Sequence, residues 1–527
     1  MAEAASSRQR ELTFLHFNDV YHIGPTSCVT RFAARLKELR AQHPDSLTVF
    51  SGDAFAPSVE ATLLRGRHMV PVLNALGVDI AAFGNHEFDF GEPVAIALSE
   101  ACTFPWLLSN VEGDAGRTIG GAAQSWTVDR NGVRIGFFAL AGTDWPSNCQ
   151  NFPHDIRFLD PIAVAARMVS QLRGPGGADI VIALTHMRLP EDQLVLAACP
   201  GIDLVLGGHD HAPVVINDPA AASPCLIVKS GMDFQQFSVV RMRIDPNTQP
   251  AVTVTVEEHT GFDDTSLAED LGVKTIVERV ASQMNTLLDR NLMRSDIPLE
   301  GRAMVVRTEE SNLGNLFADT LRAYYQCDIA LVNSGSIRCN RIIPSGVVTI
   351  RDMFGMRSAA RSHSYSALPF CNIFVTRRVP GASLLQALEN SVGDSRTDGR
   401  FLQLSGVSIT VDLSRPQGHR VLSVVLTGDD GVEDAPLDPR RLYHVAMTTF
   451  VADGYDGYNV FAGTEPVVGN ESGVSETDML MQVFLPQGDD SSGEHEHPHK
   501  ARETVVVRTD EGLPVVRPAV EGRIVFV

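Results

Sequence analysis

Short apolar runs in the first half of the chain end, one after another, in residues that carry chemistry. The run at Leu12 to Phe17 is followed by Asp19, and the run at Leu47 to Phe50 by Asp53. Val78 to Phe83 leads into Asn85 and His86, Ile180 to Leu184 into His186, and Leu204 to Leu206 into His209 and His211. A further run covers Val133 to Leu140, and amphipathic stretches at Val29 to Gln42 and Pro161 to Leu172 separate several of these segments. Strands alternating with helices predict an α/β domain with buried strands. In such sheets the carboxyl ends of the strands face the ligand crevice. One Asp or His after a strand is an ordinary turn former. Five strand ends in one phase, with Gly52, Gly84, Gly207 and Gly208 opening the backbone, predict a site.

The donor types narrow its chemistry. Carboxylate, imidazole and amide without thiolate suit divalent ions of the Mn, Zn, Fe, Co or Mg kind. Bound cations would also let a chain with 43 basic and 64 acidic residues, net charge −21, hold an anion. That balance argues against a nucleic-acid polymer or an anionic membrane as partner. Eight cysteines lack any C-x-x-C pair, which excludes a zinc ribbon or dithiol site. The opening MAEAASSRQR is polar, no apolar stretch approaches a bilayer span, and the ending RIVFV lacks an anchor tail. The expectation is a soluble, cytoplasmic protein, monomer or homodimer.

In order and context these residues resemble the motifs of calcineurin-like metallophosphoesterases: Asp19, Gly52-Asp53, Gly84-Asn85-His86-Glu87, His186 and Gly208-His209-Asp210-His211. The resemblance implies a four-layer αββα sandwich and two divalent ions bridged by Asp53. Asn85, His186 and His209 complete one ion's site; Asp19 and His211 belong to the other. Two such ions stabilise the attacking hydroxide and the phosphoryl charge together. His86 is implied to contact the phosphoryl or leaving oxygen and Asp89 to orient it, a pairing that favours acid catalysis.

A length of 527 residues and 44% apolar content predict two domains with ample cores. The expected division is a disordered 1–10, a catalytic domain over 11–260, a linker helix assigned to 261–300 with its helical periodicity over Leu271 to Leu292, and a smaller α/β (α+β) domain over 301–527. The polar stretch 487–504, with His495, His497 and His499, reads by composition as a disordered insertion. No internal repeat is seen. The stretches ESNLGNLFADTL, LVNSGSIR, LPFCN and FVADGYDGY resemble the C-terminal domain of 5′-nucleotidases. By that resemblance Arg307, Asn333, Arg338, Phe370, Asn372, Phe450 and Asp456 contact substrate. Arginine forks suit phosphate oxygens, and stacked aromatics hold a base at about 1–3 kcal/mol each. Substrate would then bridge two domains that rotate about the connecting helix.

The function implied is hydrolysis of nucleoside 5′-monophosphates. UDP-sugar or 2′,3′-cyclic nucleotide hydrolysis is the alternative within the fold, and a non-catalytic nucleotide sensor the alternative outside it. One departure stands out. The family pattern D-x-H here reads Asp19-Val20-Tyr21-His22, so Tyr21 takes the histidine's place. In an extended segment His22 points away and the first ion loses an imidazole; a one-residue bulge would return it. The extended case is the expectation. Tyrosine is a poor ligand unless ionised.

Overall fold

The structure, a computed structural model, describes residues 9–24, 27–148, 152–153, 155–217, 226–245, 252–354, 372–427, 434–469, 472–485 and 496–527. The chain divides into two compact units, Met1–Met284 and Asn285–Val527.

The first unit is built on two six-stranded sheets. One places Arg10–Phe17, Leu47–Phe50 and Ile80–Ala82 side by side and parallel, with Phe237–Ile244 antiparallel on the outer flank of the first. The other holds Val133–Ala141, Ile180–His186 and Leu204–Gly208 as parallel neighbours. Continuous Val, Ile, Leu and Phe runs are what strands buried on both faces require. Phe14, Val49 and Ile80 of one sheet share a core with Phe137, Ile182 and Leu206 of the other. On the far side of the second sheet, Val164, Met168 and Val195 from the helices Pro161–Arg173 and Leu189–Ala198 pack against Phe138 and Val181. Phe32, on the helix Val29–Gln42, meets Phe17 edge-on beneath the first sheet. The arrangement is the expected αββα sandwich. The two sets of parallel strands run their carboxyl ends toward one region.

The second unit centres on the sheet Leu402–Ser405, Ile329–Asn333, Leu442–Thr448, Ile373–Pro380 and Glu465–Val468, in that order. Its core gathers Leu331, Val375, Leu384, Leu404, Val445 and Tyr458.

Three sequence expectations change. Arg10, expected in a disordered N-terminus, opens the strand Arg10–Phe17 and pairs with Ile244; residues 1–8 lie outside the described residues. The stretch 261–300 is helical only over Leu271–Leu288. Asn291–Ser295 is already a strand, held between Gly346–Thr349 and Leu513–Val516, because Leu292 and Met293 are fully buried there. The polar insertion contains a helix, Glu496–Val505, packed on the helix Asn312–Tyr325. Ala501 is completely buried and Arg502 donates to the Val483 carbonyl at 3.0 Å. A few small apolar side chains on one face suffice for docking, which a count of polar residues does not detect. The remainder of that stretch, 486–495, lies outside the described residues.

Candidate active site

Each strand end delivers its residue to one cluster. His186 ends its strand, and its Nδ1 donates to the Ser51 carbonyl at 2.8 Å. That bond fixes the orientation of the ring and turns Nε2 toward the carboxylates. Nε2 lies 3.0 Å from Asp53 Oδ2 and 4.0 Å from Asp19 Oδ1. His209 follows its strand by one residue. Its Nε2 meets Asp144 Oδ2 at 2.9 Å, while its buried Nδ1 has no hydrogen-bond partner. Asp53, His186 and His209 offer ligand atoms within 4.8 Å of one another. Asn85 is completely buried, and neither its Oδ1 nor its Nδ2 has a hydrogen-bond partner. Buried polar atoms left unpaired cost about 1–3 kcal/mol each. The convergence of Asp53, His186 and His209 fits a divalent cation, as the donor types do.

Asp19 and His211 are brought together beside them, with His211 Nε2 3.3 Å from Asp19 Oδ1. Asp19 Oδ2 also accepts the backbone N–H of His209 at 3.0 Å. Burial pushes the Asp19 carboxyl up, yet His211, His186 and the Asn18 amide more than offset it and hold it below the usual range. Burial likewise pulls the His186 ring down, and the carboxylates of Asp53 and Asp19 reverse this, raising it to about 9. The cluster is therefore a buried well of negative potential.

The backbone is strained around it. Asp19, Asp53, His209 and His211 have φ of 53°, 66°, 80° and 57°. Left-handed backbone is uncommon for residues other than glycine, and such positions collect at functional sites. Gly84 and Gly208 permit the close approach: a Cβ on Gly84 would overlap Asp53 Oδ1, and one on Gly208 would stand 2.6 Å from the Ser51 carbonyl oxygen.

His86 donates its backbone N–H to Asp53 Oδ1 at 2.9 Å, and its ring Nδ1 meets Asp89 Oδ2 at 2.7 Å. The pair sits beside the cluster with only 6% of His86 exposed. Three positioning residues were not anticipated. Asp144 holds His209. Glu87 accepts backbone N–H groups from Asp53 at 2.8 Å and Gly84 at 2.6 Å, locking two ligand loops together. Burial and the charge of Asp53 push its carboxyl up to about 7. Lys229, completely buried, bonds the carbonyls of Met187 and Gly208 and the carboxylates of Asp192 and Asp210, tying the His186 loop to the His209 loop. Asp144 was within reach of sequence reasoning, since it follows the run at Val133 to Leu140 as the residues of the cluster follow theirs.

His22 does not join the cluster. Its Nδ1 faces Glu60 Oε2 at 3.7 Å and its side chain is half exposed. Tyr21 stands in the cluster instead, its hydroxyl among Asp19, Asp53 and His211.

In the second unit, Arg307, Arg338 and Asp456 are close enough for their charges to act on one another. Asn333 ends its strand and its Oδ1 accepts from Thr448 Oγ1 at 3.3 Å. Thr448 caps the short helix Thr449–Ala452, which carries Phe450. Phe450 is 37% exposed and stacks on Tyr455 at 4.9 Å. Asn372 is separately engaged, donating from Nδ2 to Glu476 Oε1 at 3.0 Å. Phe370 lies outside the described residues.

Known proteins divide along the same lines. Residues 12–213 match the calcineurin-like phosphoesterase family, and residues 293–463 match the 5′-nucleotidase C-terminal domain. The snake venom 5′-nucleotidase of Gloydius brevicauda is 28% identical over 500 residues, covering 86% of this chain and 83% of that protein. Among solved structures, the 5′-nucleotidase precursor from Thermus thermophilus is 25% identical with a TM-score of 0.54, covering 98% of this chain and 99% of that one. The NAD nucleotidase of Haemophilus influenzae shares the fold at 19% identity, with a TM-score of 0.72 and the same coverage. The convergence of Asp53, His186 and His209, the strained backbone around them and these matches agree, and the chain is a metal-dependent phosphoesterase of the 5′-nucleotidase family.

Proposed function

We propose that the protein binds two divalent ions and hydrolyses nucleoside 5′-monophosphates to nucleoside and phosphate. The observation that carries this reading is the convergence of Asp53, His186 and His209, with unpaired buried atoms, beside a second set at Asp19 and His211. Asp53 and Asn85 with His186 and His209 would hold one ion, and Asp53 with Asp19 and His211 the other. When bound, a pair of ions acidifies water and neutralises phosphoryl charge.

The chain's own residues then have separate tasks. Asp89 accepts from Nδ1–H of His86, which leaves Nε2 to carry a proton to the departing ribose oxygen. Asp144 and the Ser51 carbonyl orient His209 and His186, as carboxylate and carbonyl partners orient metal-binding imidazoles generally. Arg307 and Arg338 would supply donors to phosphate or ribose oxygens, Asn333 and Asp456 would meet ribose hydroxyls, and Phe450 would stack on the base. These roles rest on residue type and on the family's motifs.

The test is chromatographic product analysis with Mn²⁺ present, following nucleoside, nucleotide and phosphate formed from AMP, UMP, UDP-glucose, 2′,3′-cyclic AMP, NAD and p-nitrophenyl phosphate. Preference for AMP or UMP supports the reading. Turnover confined to UDP-glucose, the cyclic nucleotide or NAD would replace it, and nucleotide binding without turnover of any substrate would indicate a sensor.

We also propose a reducing, cytoplasmic setting, on the ground that Cys28, Cys102, Cys199, Cys327 and Cys339 form no disulfide among the described residues. No helix among the described residues is long and apolar enough to cross a membrane. Subcellular fractionation that recovered the protein outside the cell would overturn the cytoplasmic placement.

A further inference from the structure

Tyr21 is the member of the cluster that the family pattern does not supply, and its placement is specific. The phenol oxygen lies 3.0 Å from Asp19 Oδ1, 3.3 Å from Asp53 Oδ2 and 2.8 Å from His211 Nε2. Only 4% of the residue is exposed. Its ring stands perpendicular to His86 at 6.2 Å and meets His211 edge-on at 5.5 Å. The backbone is pinned as firmly: Asp233 Oδ1 accepts the N–H of Tyr21 at 2.9 Å and that of His22 at 3.2 Å, while Val20 N–H donates to the Asp53 carbonyl at 2.8 Å. The segment holds the phenol in the cluster and turns His22 outward.

A hydroxyl carries one hydrogen. Here two buried carboxylates and an imidazole nitrogen all crowd the same oxygen. One proton serves one of them well, and the carboxylates' mutual repulsion remains. A cation serves all three donors at once. Metal bonds to oxygen or imidazole nitrogen of about 2.0–2.2 Å set adjacent donors about 3 Å apart around an ion. The three separations at Tyr21, 2.8–3.3 Å, fall on that spacing.

We propose that Tyr21 Oη is a direct ligand of the first ion, in place of the histidine that the family motif would put there. On coordination the O–H bond breaks, the proton leaves to solvent and the oxygen's electron pair forms the bond to the metal. The two positions are then unlike. The first has oxygens from Asp19, Asp53 and Tyr21 with one nitrogen from His211; the second has two imidazoles, from His186 and His209, with Asp53 and Asn85. An oxygen-rich position suits Mn²⁺ or Mg²⁺, and an imidazole-rich one suits Zn²⁺. The inference rests on the two-ion reading above.

The experiment is titration of metal-stripped full-length protein with Mn²⁺, counting bound ions by equilibrium dialysis and recording the near-ultraviolet difference spectrum of phenolate formation. Tyr21→Phe, Tyr21→His and His209→Ala are titrated alongside, with circular dichroism as the check on folding. The expected result is two ions on the wild-type chain and a phenolate signal that grows with one of them. Tyr21→Phe should lose the signal and bind that ion at least about tenfold more weakly. Tyr21→His should lose the signal and keep two ions. His209→Ala should keep the signal and weaken the other ion. Two ions bound at wild-type affinity by Tyr21→Phe would overturn the assignment and leave the two-ion reading standing. A single ion on the wild-type chain, indifferent to Tyr21→Phe and lost in His209→Ala, would overturn both.

Discussion

Glu476 offers the most quantitative test of how the second unit is built. It opens the helix Glu476–Phe484 and is completely buried. Oε1 accepts from Asn372 Nδ2 at 3.0 Å, and Oε2 has no hydrogen-bond partner among the described residues. Burial therefore dominates, with the Asn372 hydrogen bonds opposing it, and the carboxyl is pushed up to about 8 from its usual 4.5. Between these values the folded chain keeps a proton that the unfolded chain has released. Stability must then fall as pH rises through that window, by about 1.4 kcal/mol per pH unit. From pH 5 to pH 8 the loss is about 4 kcal/mol. Glu476→Gln keeps the acceptor for Asn372 and removes the titration. The expectation is near-equal stability of the two proteins at pH 5 and a Gln variant more stable by up to about 4 kcal/mol at pH 8, read from urea unfolding of both at each pH. A stability difference that stays constant from pH 5 to pH 8 would refute the argument, because it would mean that Glu476 is ionised in the folded chain at the lower pH.

The other expectations concern the first unit. His86→Ala should slow phosphate release by roughly 10²–10⁴-fold with bound metal unchanged; near-normal turnover would remove His86 from the chemistry. Asp144→Ala should weaken the ion held by His209 by about 10–100-fold while the fold stays intact, which equilibrium dialysis would show. Lys229→Met should cost about 3–5 kcal/mol in chemical unfolding, since it leaves the buried carboxylate of Asp192 without its cation.

Much of the site was legible because backbone phase fixes it. Asp19, Asp53, Asn85, His186 and His209 each follow an apolar run within two or three residues, and parallel strands cannot avoid carrying such positions to one end. The partners that hold them were not legible, for a different reason. Lys229 is the fourth residue of the strand Leu226–Ser230, inside an apolar run, where sequence shows only an isolated charge. Its worth lies in reaching two loops whose carbonyls, at Gly208 and Met187, are 21 and 42 residues away in the chain. Glu87 was visible as part of a motif, but its carboxylate acts on backbone groups, which leave no trace in residue types. The helix Glu496–Val505 was hidden because a few contacts, at Ala501 above all, hold a segment whose composition is polar.

The outcome at Tyr21 shows where pattern and contact part. The one-residue shift of the histidine was readable, and so was the consequence that an extended segment turns His22 outward. What that leaves in the vacated position depends on reach. A phenol oxygen extends farther from its backbone than an imidazole nitrogen, so the substitution moves a donor atom deeper into the cluster. Asp233, nearly the whole first unit away in sequence, holds the segment so that it arrives between Asp19, Asp53 and His211. The same logic runs through the ligand loops, where four residues with side chains occupy left-handed backbone that glycine would adopt more easily. Each of them gives up about 1 kcal/mol or more of local stability. Glycine would recover it and supply no side-chain donor, so the strain marks positions where the site outweighs local stability.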